Sequence, residues 1–116
     1  MKIPHVTIHV KDMEKSLAFY QEVAQIGIQI DLRPMGKPFV FLADDMEATR
    51  IELIEDAEHA YQGSGISVGF RCESAEKEME RLKALGYETS DMVSPNSKTK
   101  FFLGTDPDGV KVQIID

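Results

Sequence analysis

Hydrophobic and polar residues alternate along residues 3–10, with Val6, Ile8 and Val10 on one side and His5, Thr7 and His9 on the other. That period of two predicts a half-buried strand. Asp12 then stands as an N-cap before a helix over 13–24, where Met13, Leu17, Tyr20 and Val23 recur at helical spacing and Gly27 is the expected terminator. Residues 28–32 alternate again and stop at Pro34 and Gly36; residues 37–43 form an apolar strand with Phe39, Val40, Phe41 and Leu42. After a turn at Asp44-Asp45, residues 49–55 make the fourth strand, so the first half reads β-α-β-β-β.

Residues 55–65 are polar and contain glycine, which predicts a linker. The second half repeats the order. Residues 66–72 alternate, with Val68, Phe70 and Cys72 on one face and Ser67, Gly69 and Arg71 on the other. Ser74 caps a helix through Leu85 with Met79, Leu82 and Leu85 inward, and Gly86 closes it. Residues 87–93 are expected as a short strand, 94–98 as a loop and 100–104 as a strand. Asp106-Pro-Asp-Gly109 then predicts a tight turn into the last strand, since proline presets φ and glycine accepts a positive φ.

The halves also match in residue type. Lys111-Val-Gln-Ile-Ile-Asp116 repeats Arg50-Ile-Glu-Leu-Ile-Glu55 at an offset of 61 residues, and Ser67–Ser74 repeats His5–Asp12 at an offset of 62. A unit of about 60 residues is therefore duplicated. Either copy alone would bury little surface, so the expectation is one domain, 1–116, in which two βαβββ modules, 1–56 and 65–116, share a core. The fold class is α+β.

Composition narrows the function. Acidic residues outnumber basic ones 20 to 13, a formal charge of −7, which argues against a nucleic-acid partner and suits cationic ligands or simply a solvated acidic surface. A single cysteine, Cys72, allows no intrachain disulfide and fits a reducing compartment. No apolar run approaches the ~20 residues of a membrane span, and the N-terminus turns polar too early for a signal peptide. The expected location is the cytoplasm, with no membrane partner.

Chemistry is expected on the strand faces turned away from the helices. These carry His5, Thr7 and His9; Arg50, Glu52 and Ile54; Ser67, Gly69 and Arg71; and Lys111, Gln113 and Ile115. At one depth on the four repeated strands stand His5, Glu52, Ser67 and Gln113, a nitrogen-and-oxygen set of a kind that suits a borderline divalent ion. The same faces read equally as the wet sides of sheets. Arg50, Arg71 and Lys111 are candidates for gripping a substrate carboxylate, with His9 and Ser67 beside them.

Two stretches, residues 4–20 with the pattern Asp12…Ser16-x-x-Phe19-Tyr20 and residues 104–116 with Asp106-Pro-Asp-Gly109, resemble the vicinal oxygen chelate superfamily, also called glyoxalase/bleomycin-resistance/dioxygenase. The resemblance spans the chain and is nearest to the lactoylglutathione-lyase-like members. It implies paired βαβββ modules forming a cup, a small-molecule ligand, a homodimer, and metal ligands on the first and last strand of each module. Those positions are His5, Glu52, Ser67 and Gln113; Ser67 replaces a usual histidine and Gln113 a usual glutamate. The implied metal set is therefore His5, Glu52 and Gln113, holding Ni, Zn, Co, Mn or Fe. Glu52 would be the catalytic carboxylate, and His9, Arg50, Ser67, Arg71 and Lys111 would line the substrate site. Of the His, His, Glu set of the dioxygenase branch only His5 remains, which argues against that branch. The two functions implied are a metal-dependent lyase or isomerase with a reduced metal site, and a metal-free, bleomycin-resistance-like protein that sequesters a cationic molecule.

Overall fold

The computed structural model describes all 116 residues, which form two compact units, 1–62 and 63–116. In the first, β1 (His5–Val10) leads into α1 (Met13–Val23), followed by β2 (Ile28–Asp31), β3 (Phe39–Leu42) and β4 (Arg50–Glu55). The sheet order is β1-β4-β3-β2; β1 and β4 are parallel and the remaining pairs antiparallel. Ile8, Val10, Val40, Leu42, Ile51 and Leu53 are buried, as are Met13, Leu17, Tyr20 and Val23 of α1, so the aliphatic stripes found by alternation are the core.

The second unit runs β5 (Ser67–Arg71), α2 (Ala75–Ala84), β6 (Phe101–Thr105) and β7 (Lys111–Ile115), in a sheet of order β5-β7-β6 with β5 and β7 parallel. Leu82, Phe102, Val110, Val112 and Ile114 form its core. The expected strand over 87–93 is absent, so this unit is βαββ. Only Val93 bridges Phe101. Within that segment the Ser90 hydroxyl accepts the Leu103 N–H at 2.8 Å, a side chain standing in for a ladder partner, and Pro95 follows soon after.

One device recurs in both units and explains why the repeat ends in an acid. Asp12 and Ser74 cap α1 and α2 by accepting N–H bonds from Lys15 and Lys77, each at 3.2 Å. The carboxylates of Glu55 and Asp116, at the ends of β4 and β7, then accept the N–H of Met13 and Ala75, each at 3.0 Å. Each final strand is thus tied to its own helix N-terminus, where a negative charge also meets the positive end of the helix dipole.

The helix ends differ. Gly86, with φ 91°, closes α2, and Tyr87 N–H reaches back to the Leu82 carbonyl at 3.0 Å. The expected stop at Gly27 is not how α1 ends: Gln25 takes the left-handed conformation, φ 52°, while Gly27 donates its N–H to Asp44. The turn before β7 forms as expected. Asp106 accepts the N–H groups of Asp108 and Val110 on one carboxylate oxygen, and Gly109 has φ 96°.

Candidate functional site

The helix-free face of the first sheet is built by strand parity. With Ile51 and Leu53 of β4 buried, Arg50 and Glu52 project to the other side; on β1 the same parity gives His5, Thr7 and His9, and on β3 Phe41. The register pairs His5 with Arg50, Thr7 with Glu52 and Phe41 with Glu52. His5 and Glu52 are therefore diagonal neighbours, not at one depth as the repeat alone implied.

Glu52 is the centre of this cluster, with its side chain 14 % exposed. Its Oε1 accepts the Thr7 hydroxyl at 2.5 Å and stands 3.8 Å from His5 Nε2. The Phe41 ring meets His5 edge-on at 5.9 Å between centroids and carries the Arg50 guanidinium at 5.9 Å over its face. One carboxylate thus lies beside an imidazole and a hydroxyl, with the Arg50 guanidinium over Phe41 on the same face. Such a group can accept hydrogen bonds, pair with a cation or take a proton.

The residues expected together divide between the units: His5, His9, Arg50 and Glu52 in the first, Ser67, Arg71, Lys111 and Gln113 in the second. In β5–β7 the register pairs Ser67 with Lys111 and Gly69 with Gln113. Gly69 occupies the place that Thr7 holds in the first unit, and a Cβ there would lie 3.2 Å from Gln113 Oε1, so the amide rests over the glycine. Both candidate cations of this unit already have internal acceptors: Arg71 bonds the Asp116 carbonyl at 3.3 Å and Lys111 the Thr105 hydroxyl at 2.8 Å.

His9 points not to open solvent alone but to Asp56, with Nδ1 2.9 Å from Oδ2. His59 reaches the same carboxylate at 3.1 Å. The hydrogen bond with His9 holds the Asp56 carboxyl below the usual carboxylate range, and that with His59 adds to it. Phe41 and Asp56 are participants absent from the site expected from sequence, and Thr7, placed on this face, had no role there. Thr7 was legible in the alternation; Asp56 was not, because it lies in the stretch assigned to the linker.

No three His, Cys, Asp or Glu side chains gather as a metal-binding group. His5 and Glu52 remain as a two-donor fragment. Bonds of ~2.1 Å at a tetrahedral angle set two donor atoms of one ion about 3.4 Å apart, so this pair, at 3.8 Å, would have to draw in slightly to hold one. Cys72 is partly buried, and desolvation raises its thiol, which fits a structural role. An open groove of about 280 Å³ along α2, lined by Glu76, Met79, Glu80, Lys83 and Met92, contains none of these residues.

Comparison with known proteins agrees with this architecture. The family model described as Glyoxalase/Bleomycin resistance protein/Dioxygenase superfamily matches residues 2–114. A lactoylglutathione lyase of Neisseria meningitidis serogroup A is 29 % identical over 126 aligned positions, covering 99 % of this chain and 90 % of that protein. Among solved structures, an integron cassette protein from the mobile metagenome of the Halifax Harbour sewage outfall superposes with a TM-score of 0.77 at 23 % identity, covering 98 % and 97 % of the two chains. TnmS3, an antibiotic-binding protein from Streptomyces sp. CB03234, superposes with a TM-score of 0.73 at 20 % identity, covering 98 % and 93 %. The sequence relatives thus include a lyase and the structural neighbours an antibiotic-binding protein, and this chain belongs to the glyoxalase/bleomycin resistance protein/dioxygenase superfamily.

Proposed function

We propose that the chain binds a small organic molecule on the helix-free face of its first sheet, with Glu52 as the central contact and His5 and Glu52 able to hold a divalent ion between them. The observation that carries this reading is the Glu52 carboxylate itself, oriented by Thr7 at 2.5 Å and facing His5 Nε2 at 3.8 Å. A hydroxyl that fixes a ligating carboxylate is the usual outer support of a metal ligand. Ni²⁺, Zn²⁺, Co²⁺, Mn²⁺ and Fe²⁺ all accept an imidazole and a carboxylate. With two donors from this unit, water or ligand oxygens would complete the shell and binding would be weak.

A bound ion supplies Lewis acidity toward a carbonyl oxygen. Glu52 is then the carboxylate that takes a proton from the adjacent carbon, the lyase-type reading supported by the Neisseria relative. Arg50, held over Phe41, offers a guanidinium to an anionic end of the ligand.

A second reading, capture of a cationic molecule without metal, draws on the charge of −7 and on the likeness to an antibiotic-binding protein. There Glu52 is the counter-charge. We further infer a homodimer working in the cytoplasm. Ile28 and Ile30 leave 40 % and 37 % of their surface exposed on the edge strand β2, which suits a second copy, and the single cysteine suits a reducing compartment. No helix is long and apolar enough to cross a membrane.

The experiment is thermal unfolding of metal-stripped protein with each of Ni²⁺, Zn²⁺, Co²⁺ and Mn²⁺. The metal-assisted reading predicts a rise in Tm with at least one ion, lost in Glu52→Gln. Indifference to all four ions leaves cation capture as the function.

A further inference from the structure

We propose that Asp56 is a positioning residue that fixes the tautomer of His9, so that His9 Nε2 is presented as a proton-accepting contact for an O–H or N–H group of the ligand. The ligand-facing role rests on the reading above; the tautomer does not.

Three facts carry it. First, His9 Nδ1 lies 2.9 Å from Asp56 Oδ2, and His59 Nδ1 lies 3.1 Å from both oxygens of that carboxylate. An ionised carboxylate only accepts hydrogen bonds, so each of these nitrogens must carry a hydrogen. Neutral imidazole has one N–H, and Nε2 of His9 is left with its lone pair. Asp56 stays ionised because the same bonds hold its carboxyl below the usual range.

Second, Asp56 is held in place by backbone on both sides of β1. Its N–H donates to the Val10 carbonyl at 2.9 Å, and Tyr61 N–H donates to the His9 carbonyl at 3.0 Å. Ala60, between His59 and Tyr61, is buried. The segment 56–61 therefore wraps the end of β1 as a fixed part of the first unit.

Third, His9 shares the β1 face of Thr7 and His5, one pleat repeat beyond Thr7, or about 7 Å along the strand. Its side chain is 41 % exposed, so an approaching molecule can reach the ring. The chemical class it would take is a hydroxyl or an N–H donor, including the N–H of a cationic amine.

Nitrogen-15 NMR of the histidine rings in the full chain, at mildly alkaline pH, tests this. The native protein is expected to show His9 with a pyrrole-type δ1 and a pyridine-type ε2 nitrogen. Asp56→Asn, whose amide no longer demands a donor, is expected to lose that preference, while His59→Gln keeps it. An Nε2–H tautomer in the native protein, or an unchanged one in Asp56→Asn, would overturn the proposal. The native spectrum decides the tautomer even if the variant folds poorly. Diethyl pyrocarbonate, which acylates unprotonated ring nitrogen, supplies the second readout: His9 should be modified in the native protein, and its protection would refute presentation to a ligand. Neither result depends on a metal response, so this inference and the metal-assisted reading fail separately.

Discussion

Thr7 and Ser16 show how two hydroxyls of similar chemistry can have opposite value. The Thr7 hydroxyl donates to Glu52 and fixes its carboxylate. Valine has the same shape without the donor, and loss of such outer support typically weakens metal binding by roughly 10–100-fold. Thr7→Val is therefore expected to lower Zn²⁺ affinity about tenfold in a calorimetric titration, with little change in the urea midpoint. Ser16 lies fully buried on α1 and its hydroxyl has no hydrogen-bond partner. A buried unpaired polar atom costs about 1–3 kcal/mol, and alanine is the better helix former. Ser16→Ala should stabilise the protein by about 1 kcal/mol in urea unfolding.

At the scale of elements, the Asp116 side of the strand-to-helix clamp contributes to the response to acid. Hydrogen bonds from the Ala75 and then the Lys100 N–H hold the Asp116 carboxyl below its ordinary value. Asp31, bonded by Arg33, and Asp56, bonded by His9, are lowered as well. A carboxyl whose folded pKa is depressed contributes stability above its unfolded value, ~3.9, and loses it as pH falls through the folded value. The urea midpoint should thus drop as pH is lowered from about 5 toward about 2, with a shallower dependence in Asp116→Asn. An equally steep curve in that variant would show that the clamp carries no charge-dependent stability.

The elements were legible where period and cap agreed. Both helices, their N-caps and all seven strands were expected, most strands from alternation, β3 from an apolar run and the helices from Asp12, Ser74 and their apolar spacing, because burial on one face leaves a pattern in the sequence. That includes the edge strand β2, though its Ile28 and Ile30 remain partly exposed. The failures have local causes. A serine hydroxyl at position 90 replaced a ladder bond, and Gln25 adopted a conformation that a glycine was expected to supply. Neither is visible in hydrophobic periodicity.

For the whole molecule, most else follows from the repeat of sequence between the two halves. The repeat located the first and last strands of each unit and chose His5, Glu52, Ser67 and Gln113 on them. What it could not supply was register and the partners brought in from outside the repeat. Thr7 opposite Glu52, against Gly69 opposite Gln113, makes the two units chemically unequal. The first holds a carboxylate beside an imidazole and a hydroxyl; the second holds a neutral amide over a glycine. The proposed ligand site accordingly rests on the first unit.

Mapping Zn²⁺ addition by amide NMR on metal-stripped protein tests that assignment most directly. Resonances of His5, Thr7 and Glu52 are expected to move together and saturate, and Glu52→Gln to abolish their movement. Saturable shifts confined to other acidic stretches, such as Asp44 and Asp45, or shifts at His5 that survive Glu52→Gln, would contradict it.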